Sequence, residues 1–151
     1  MRHVRNLLVL ALLTFFVGSL SAAEGKIIKV LPHYLDARGR HTLSPSLYER
    51  DAYQKVLRDN PDLRSAMRFD VQLRGRKMDK LTLRVELRGV KGQELTTEVK
   101  EAPVQKRGLL STWSSVTFSG PEYKEFGEIT AWRVTLLRGN EQVAEQKSFL
   151  W

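Results

Sequence analysis

Residues 67–75 read MRFDVQLRG and residues 81–89 read LTLRVELRG. In both stretches an apolar residue (Met, Phe, Val or Leu) stands at every second position, and most residues between are charged or polar. A period of two is that of a β-strand with one face on a core and the other in water. The two stretches therefore predict two half-buried strands and a mainly β protein.

Similar but weaker patterns predict the remaining strands. They are predicted at 26–31, 95–99, 112–119, 130–136 and 142–151. Pro32 is predicted to end the first strand, and Gly139-Asn140 can form a two-residue hairpin turn before the last. About seven short strands, without a regular alternation of strands and helices, favour an antiparallel sandwich of two sheets.

Two sets of residues are predicted to pack in the core. The first set faces inward on the strands and comprises Phe69, Val71, Leu73, Leu83, Val85, Leu87, Val116, Phe118, Trp132, Val134 and Leu136. The second set lies along one helix near 46–58, inside an insertion at 44–60, and comprises Leu47, Tyr48, Ala52, Tyr53, Val56 and Leu57. Ser46 and Glu49 have the spacing of a capping box at the start of this helix.

Residues 119–123 (SGPEY) and 128–132 (EITAW) resemble the crossing before the penultimate strand of an immunoglobulin-like or fibronectin-type-III-like domain. In architecture, the chain resembles a bacterial secreted protein with such a β-sandwich. The resemblance implies a Greek-key sandwich of about seven antiparallel strands with one inserted helix. The chain has no Cys pair and no Trp on the third strand, and this architecture implies no particular activity.

Residues 1–23 are predicted to be a secretory signal peptide. Arg2 and Arg5 precede an apolar run at 7–20, and Ser21-Ala22-Ala23 supplies small residues before a cut at Glu24. The apolar run is shorter than the roughly 20 residues that a transmembrane helix needs. We therefore expect residues 24–151 to form a single exported domain, periplasmic or secreted, with no transmembrane span.

Composition excludes several kinds of chemistry. The 151 residues include no Cys, so a disulfide, a thiol nucleophile and a cysteine-ligated metal are excluded. No glycine-rich nucleotide-binding motif and no serine-hydrolase elbow occurs. The sequence therefore predicts no catalytic residue, no cofactor and no metal site, and a protein that is not an enzyme.

Two alternatives stay open. Only His33 and His41 follow the signal segment, and a small secreted hydrolase could use either as a general base. The gaps between His33, Asp36 and His41 lie around a predicted turn and not on one helix face, so these residues do not have the spacing of a metal site. The ending Ser148-Phe-Leu-Trp151 resembles the aromatic-ended last strand of a small outer-membrane β-barrel, which is the other alternative.

Basic residues give the remaining functional signal. The chain has 25 Lys+Arg against 17 Asp+Glu, a formal charge of +8. Arg74, Arg76, Lys77 and Lys80 surround Asp79 between two predicted strands, and form a candidate anion contact. The partner would be an anionic envelope polymer or another envelope protein, and nucleic acid is not expected for an exported chain. The sequence thus predicts an exported, non-catalytic β-sandwich that binds or scaffolds something in the cell envelope or outside the cell; the ligand is unknown.

Overall fold

The computed structural model of the protein describes residues 25–75, 78, 80–105 and 111–151. The predicted signal peptide at 1–23 and two residues of the candidate anion contact, Arg76 and Lys77, lie outside the described residues. The elements in chain order are β1 (Lys26–Leu35), α1 (Leu47–Asp59), a 3-10 turn (Pro61–Leu63), β2 (Ala66–Arg74), β3 (Leu81–Lys91), β4 (Glu94–Pro103), β5 (Thr112–Ser119), α2 (Pro121–Phe126), β6 (Glu128–Arg138) and β7 (Glu141–Lys147).

The strands of the described residues form two antiparallel sheets that pack against each other. One sheet has the order β1-β2-β5 and the other has the order β4-β3-β6-β7. Residues from both sheets meet in one hydrophobic cluster. The prediction of a mainly β sandwich with a helix inserted between its first two strands is therefore confirmed. The structure adds α2, a six-residue helix in the crossing from β5 to β6.

The inward positions of β2, β3, β5 and β6 form the core, as the alternation predicts. Every predicted core residue of these strands is buried except Trp132. Trp132 is half-buried and packs against the core, with its ring centroid 5.9 Å from that of Phe69. Burying one such apolar side chain stabilises a fold by about 1.5–3 kcal/mol. Packing of this kind holds together a chain that has no disulfide.

The predicted apolar face of α1 is mostly wrong, because only Leu57 of the predicted set is buried, whereas Tyr53 is half-buried and Ala52 is exposed. Leu47, Tyr48 and Val56 are 68%, 80% and 44% exposed, whereas Gln54 and Leu57 are buried. The reason is that α1 lies against the edge strand β1, where the side chain of Gln54 pairs with the backbone of Tyr34 and so takes a buried position of the helix. The predicted capping box is also absent, because the Ser46 side chain makes no capping hydrogen bond.

Two strand ends differ from the prediction. β1 continues through Pro32 to Leu35, because an edge strand pairs on one side only and tolerates a residue without an N–H group. β7 ends at Lys147 rather than at residue 151. The chain leaves the ladder at Ser148, whose hydroxyl oxygen accepts a hydrogen bond from the Trp132 N–H at 3.0 Å.

Gly89 lies inside β3 and marks an irregularity in its pairing with β6. A Cβ atom at this position would lie 2.5 Å from the Phe126 ring and 2.6 Å from the Glu128 carbonyl oxygen. Such distances are shorter than a van der Waals contact between carbon and carbon or oxygen. The absence of a side chain at Gly89 therefore allows α2 and the start of β6 to approach β3.

Candidate functional site

The outer face of the sheet β1-β2-β5 combines a wide range of polar groups. Side chains alternate along a strand, so the positions between the core residues point away from the core. The register of the strands sets these positions in four rows, which are Lys26–Arg74, Lys29–Gln72–Trp113, Leu31–Asp70–Ser115 and His33–Arg68–Thr117. Cations, hydroxyls, an amide, a carboxylate and an indole ring therefore share one surface.

Helix α1 and the loop before it cover one half of this face. His33, Leu35 and Ala66 lie at outward positions, yet they are only 6%, 6% and 5% exposed. The helix contacts β1 above them. The outer face is thereby divided into a covered half, next to α1, and an uncovered half at the opposite ends of the same strands.

Gln54 holds α1 against the sheet. Its Nε2 donates hydrogen bonds to the carbonyl oxygens of Tyr34 at 2.9 Å and of His41 at 2.8 Å, and its Oε1 accepts one from the Tyr34 N–H at 2.9 Å. β1 is an edge strand, so the backbone groups on its free side have no neighbouring strand. The side-chain amide of Gln54 pairs with these groups as a neighbouring strand would.

Asp36 fixes the loop that leads from β1 to α1. Its carboxylate accepts hydrogen bonds from the backbone N–H groups of Arg38 and Arg40, from the Arg40 guanidinium and from the Tyr53 hydroxyl, at 2.8–2.9 Å. Burial alone would raise the pKa of Asp36, but the hydrogen bonds from Arg40 and Tyr53 outweigh it and hold the pKa well below its usual value. The loop is therefore tied to both β1 and α1 by a charged carboxylate.

Asp70 is the centre of a network at the border between the two halves. Its Oδ2 accepts a hydrogen bond from Arg68 at 2.9 Å and lies 3.6 Å from His33 Nε2, while its Oδ1 accepts one from the Ser115 hydroxyl at 2.6 Å. The His33 and His41 ring centroids are 4.9 Å apart. Burial lowers the pKa of His33 to about 4 despite the opposite effect of Asp70, so the ring is neutral at pH 7.

The order of groups in this network differs from that of a hydrolase. A serine nucleophile needs a general base within hydrogen-bond reach of its hydroxyl. Ser115 donates to Asp70, and this carboxylate stands between the hydroxyl and His33. In the part of the chain that the structure describes, no group of three His, Asp or Glu side chains could hold a metal ion.

The uncovered half of the face, here called the open face, presents an aromatic ring among cations. It consists of Lys26, Lys29, Gln72, Arg74, Trp113 and Ser115. Trp113 is 46% exposed, although large aromatic rings are usually buried. Lys26, Lys29 and Arg74 are exposed, and none of them forms an ion pair with another described residue. Among the described residues, no carboxylate therefore neutralises these three charges.

On the outer face of the other sheet, several cationic side chains pair with groups of the same chain. Arg84 on β3 donates to Glu101 on β4 at 2.6 Å. After β7 the chain turns back over the sheet, and the Trp151 ring lies between Arg88 and Arg133, whose guanidinium carbons are 3.8 Å and 4.6 Å from the ring centroid. These cations already have partners, which distinguishes them from the cations of the open face.

The candidate anion contact is described in part. Arg74 ends β2 on the open face, next to Lys26 in the register, and Lys80 is exposed directly before β3. Arg76 and Lys77 lie outside the described residues, so the four-residue contact stays a prediction. In the structure, Arg74 has neighbours on the open face that its position in the sequence does not reveal.

Sequence reasoning missed Trp113 and Lys29. Both belong to predicted strands, but their relation depends on a register that joins β1 and β5 through β2. One signal was present in the sequence. In the strand predicted at 112–119 the alternation gives Val116 and Phe118 inward positions, so Trp113 falls on the solvent-facing side among polar residues.

The comparisons with known proteins give no relative. No protein-family model matches the chain, no curated protein is similar to it, and no solved structure matches its fold. Among the described residues, no helix has the length and apolar character needed to cross a membrane. The class defined by the structure is therefore a two-sheet β-sandwich with one helix laid on its outer face.

Proposed function

We propose that the protein is an exported, non-catalytic binding or scaffolding module of the cell envelope or extracellular space, with an immunoglobulin-like or fibronectin-type-III-like sandwich. The basic start, apolar run and small residues within 1–23 support export. The strands β2, β3, β5 and β6 belong alternately to the two sheets, and this order supports the immunoglobulin-like class. The order of Ser115, Asp70 and His33 favours binding over hydrolysis.

The binding surface in this proposal is the open face. The observation that carries it is the row Lys29–Gln72–Trp113, which sets a 46% exposed indole beside an amide and a cation that has no ion-pair partner among the described residues. An exposed indole offers a large, rigid contact surface with little loss of side-chain entropy on binding. Nothing in the core requires an aromatic ring at this outward position, so a role in recognition explains it better than a role in packing.

Export and binding can be tested on one preparation. The full chain is expressed in a bacterium, and the exported fraction is purified and weighed by mass spectrometry, where a mass that begins at Glu24 is expected. The purified protein is then sedimented with insoluble bacterial envelope polymers. We expect co-sedimentation that Trp113→Ala abolishes.

The matched control is Phe149→Ala, because Phe149 is fully exposed and lies away from the open face. This variant should sediment like the wild type. Equal loss in both variants would show unspecific adhesion through aromatic rings. Retention of the protein in the cytosol, or turnover of ester, peptide or glycoside substrates that is lost in His33→Ala, would overturn the proposal.

A further inference from the structure

We propose that the open face recognises an acidic oligosaccharide, with Trp113 as a stacking platform and Lys26, Lys29 and Arg74 as contacts to its anionic groups. This inference rests on the binding function proposed above and names the ligand class. Three features of the open face support it: the shape of the ring surface, the mixture of donors and acceptors beside it, and the balance of charge.

The ring surface fits a sugar. A pyranose ring has an apolar C–H face that can lie flat on an indole, while its hydroxyls point outward and need hydrogen-bond partners. Trp113 stands on β5, an edge strand of its sheet, so on one side β5 has no neighbouring strand among the described residues. A groove along this edge is lined by Trp113, Ser114, Ser115 and, across the sandwich, by Ala102 and Pro103 of β4. A chain polymer could continue along it.

The polar groups beside the ring suit a ligand rich in hydroxyls. Gln72 is the cross-strand neighbour of Trp113 and offers both a donor and an acceptor. Ser115 follows two positions along β5, about 7 Å away along the strand. Its hydroxyl donates to Asp70, which leaves the hydroxyl oxygen as an acceptor for a ligand. Such a set pairs with sugar hydroxyls more readily than with an apolar ligand.

The charge of the open face selects an acidic sugar over a neutral one. Lys26, Lys29 and Arg74 have no ion-pair partner among the described residues, whereas the nearby carboxylate of Asp70 is already paired with Arg68. The surface is therefore net positive around the ring. Carboxylate, sulfate or phosphate groups on a sugar would complement it, and arginine is well suited to bind such planar or tetrahedral anions.

The experiment compares two ligands of one length. Oligogalacturonate carries a carboxylate on each sugar, and its methyl ester has the same ring without the charge. Affinity is measured by calorimetry on the exported protein at low and moderate salt. We expect the acid to bind at least tenfold more tightly than the ester at low salt, and this preference to shrink as salt rises.

Variants separate the contribution of the Trp113 ring from that of the cations. Trp113→Ala should weaken binding of both ligands at least tenfold, and Trp113→Phe, which keeps a flat ring, should restore much of it. Lys26→Gln combined with Lys29→Gln and Arg74→Gln should lower the affinity for the acid to about that for the ester. The control Lys124→Gln removes an exposed cation on α2, away from the open face, and should alter neither.

Several outcomes overturn the inference. Equal affinity for acid and ester would refute the charge selection, and binding of polyphosphate, DNA or an acidic peptide as tightly as the oligosaccharide would show a general anion surface. Absence of binding to either sugar, while Trp113-dependent sedimentation with envelope polymers persists, would refute the ligand class and leave the proposed binding function standing. Loss of that sedimentation as well would refute both. Circular dichroism of each variant must show the wild-type fold.

Discussion

The side chain of Gln54 should be the most important polar group for the attachment of α1. Gln54→Ala removes three hydrogen bonds, two to the backbone of Tyr34 and one to the carbonyl oxygen of His41, all at 2.8–2.9 Å. Each hydrogen bond contributes about 1 kcal/mol net, and more where its partner stays buried without water. The substitution should therefore lower the free energy of unfolding by about 2–4 kcal/mol.

Urea denaturation measures this loss, and amide hydrogen exchange locates it. In Gln54→Ala the Tyr34 N–H loses its acceptor, so its exchange should accelerate more than that of residues on β3 or β6. The matched control is Lys55→Ala, one position further along α1, where an exposed ion pair with Asp59 at 2.5 Å contributes at most about 1 kcal/mol.

Two results would refute the reasoning about Gln54. One is a loss below about 0.5 kcal/mol, which would mean that water replaces the amide at the free edge of β1. The other is an unchanged exchange rate at Tyr34, which would mean that the helix does not depend on this contact. Gln54→Glu gives a further check, since a carboxylate cannot donate to the two carbonyl oxygens and should destabilise the protein as well.

Two further predictions concern pH and packing. The pKa of His33 is lowered from 6.5 to about 4, so the unfolded chain takes up the proton first as pH falls. The free energy of unfolding should therefore decline between about pH 6.5 and 4, by up to about 3 kcal/mol. His33→Gln should make this decline smaller, as measured by urea denaturation at each pH. The pKa of Asp36 is lowered from 3.8, so its contribution to the free energy of unfolding should be lost only as pH falls below about 4. Gly89→Ala places a Cβ atom 2.6 Å from the Glu128 carbonyl oxygen and should cost about 1–3 kcal/mol, measured as a fall in melting temperature. Gly92→Asn is its control, because nothing lies within 4 Å of that turn position and Asn tolerates its positive φ of 62°.

The core could be predicted from the sequence because its signal is local. Phe69, Val71 and Leu73 alternate with polar residues within one strand, and this pattern alone decides which side faces inward. The helix could not be oriented in the same way. The apolar residues Tyr48 and Val56 suggested an inward face, but the surface that receives α1 is a strand edge, which selects the amide of Gln54 instead.

The open face could not be predicted because it is assembled by register. Lys29 and Trp113 are far apart in the chain and come into one row only because both pair with Gln72. No local pattern encodes that pairing. Arg74 was singled out for its basic neighbours in the sequence, and the structure adds Lys26 in the same row and Trp113 nearby on the face.

The strict alternation along β2 has a consequence for how such a surface can change. Core positions 69, 71 and 73 and outward positions 70, 72 and 74 alternate along the same strand, and only the core positions belong to the hydrophobic cluster. Substitutions at Gln72 or Arg74 can therefore accumulate with little effect on folding, whereas those at Phe69 or Leu73 cannot. The domain could be diversified toward new ligands by randomising only positions 26, 29, 72, 74 and 113 of the open face, with α1 and the positions beneath it left unchanged.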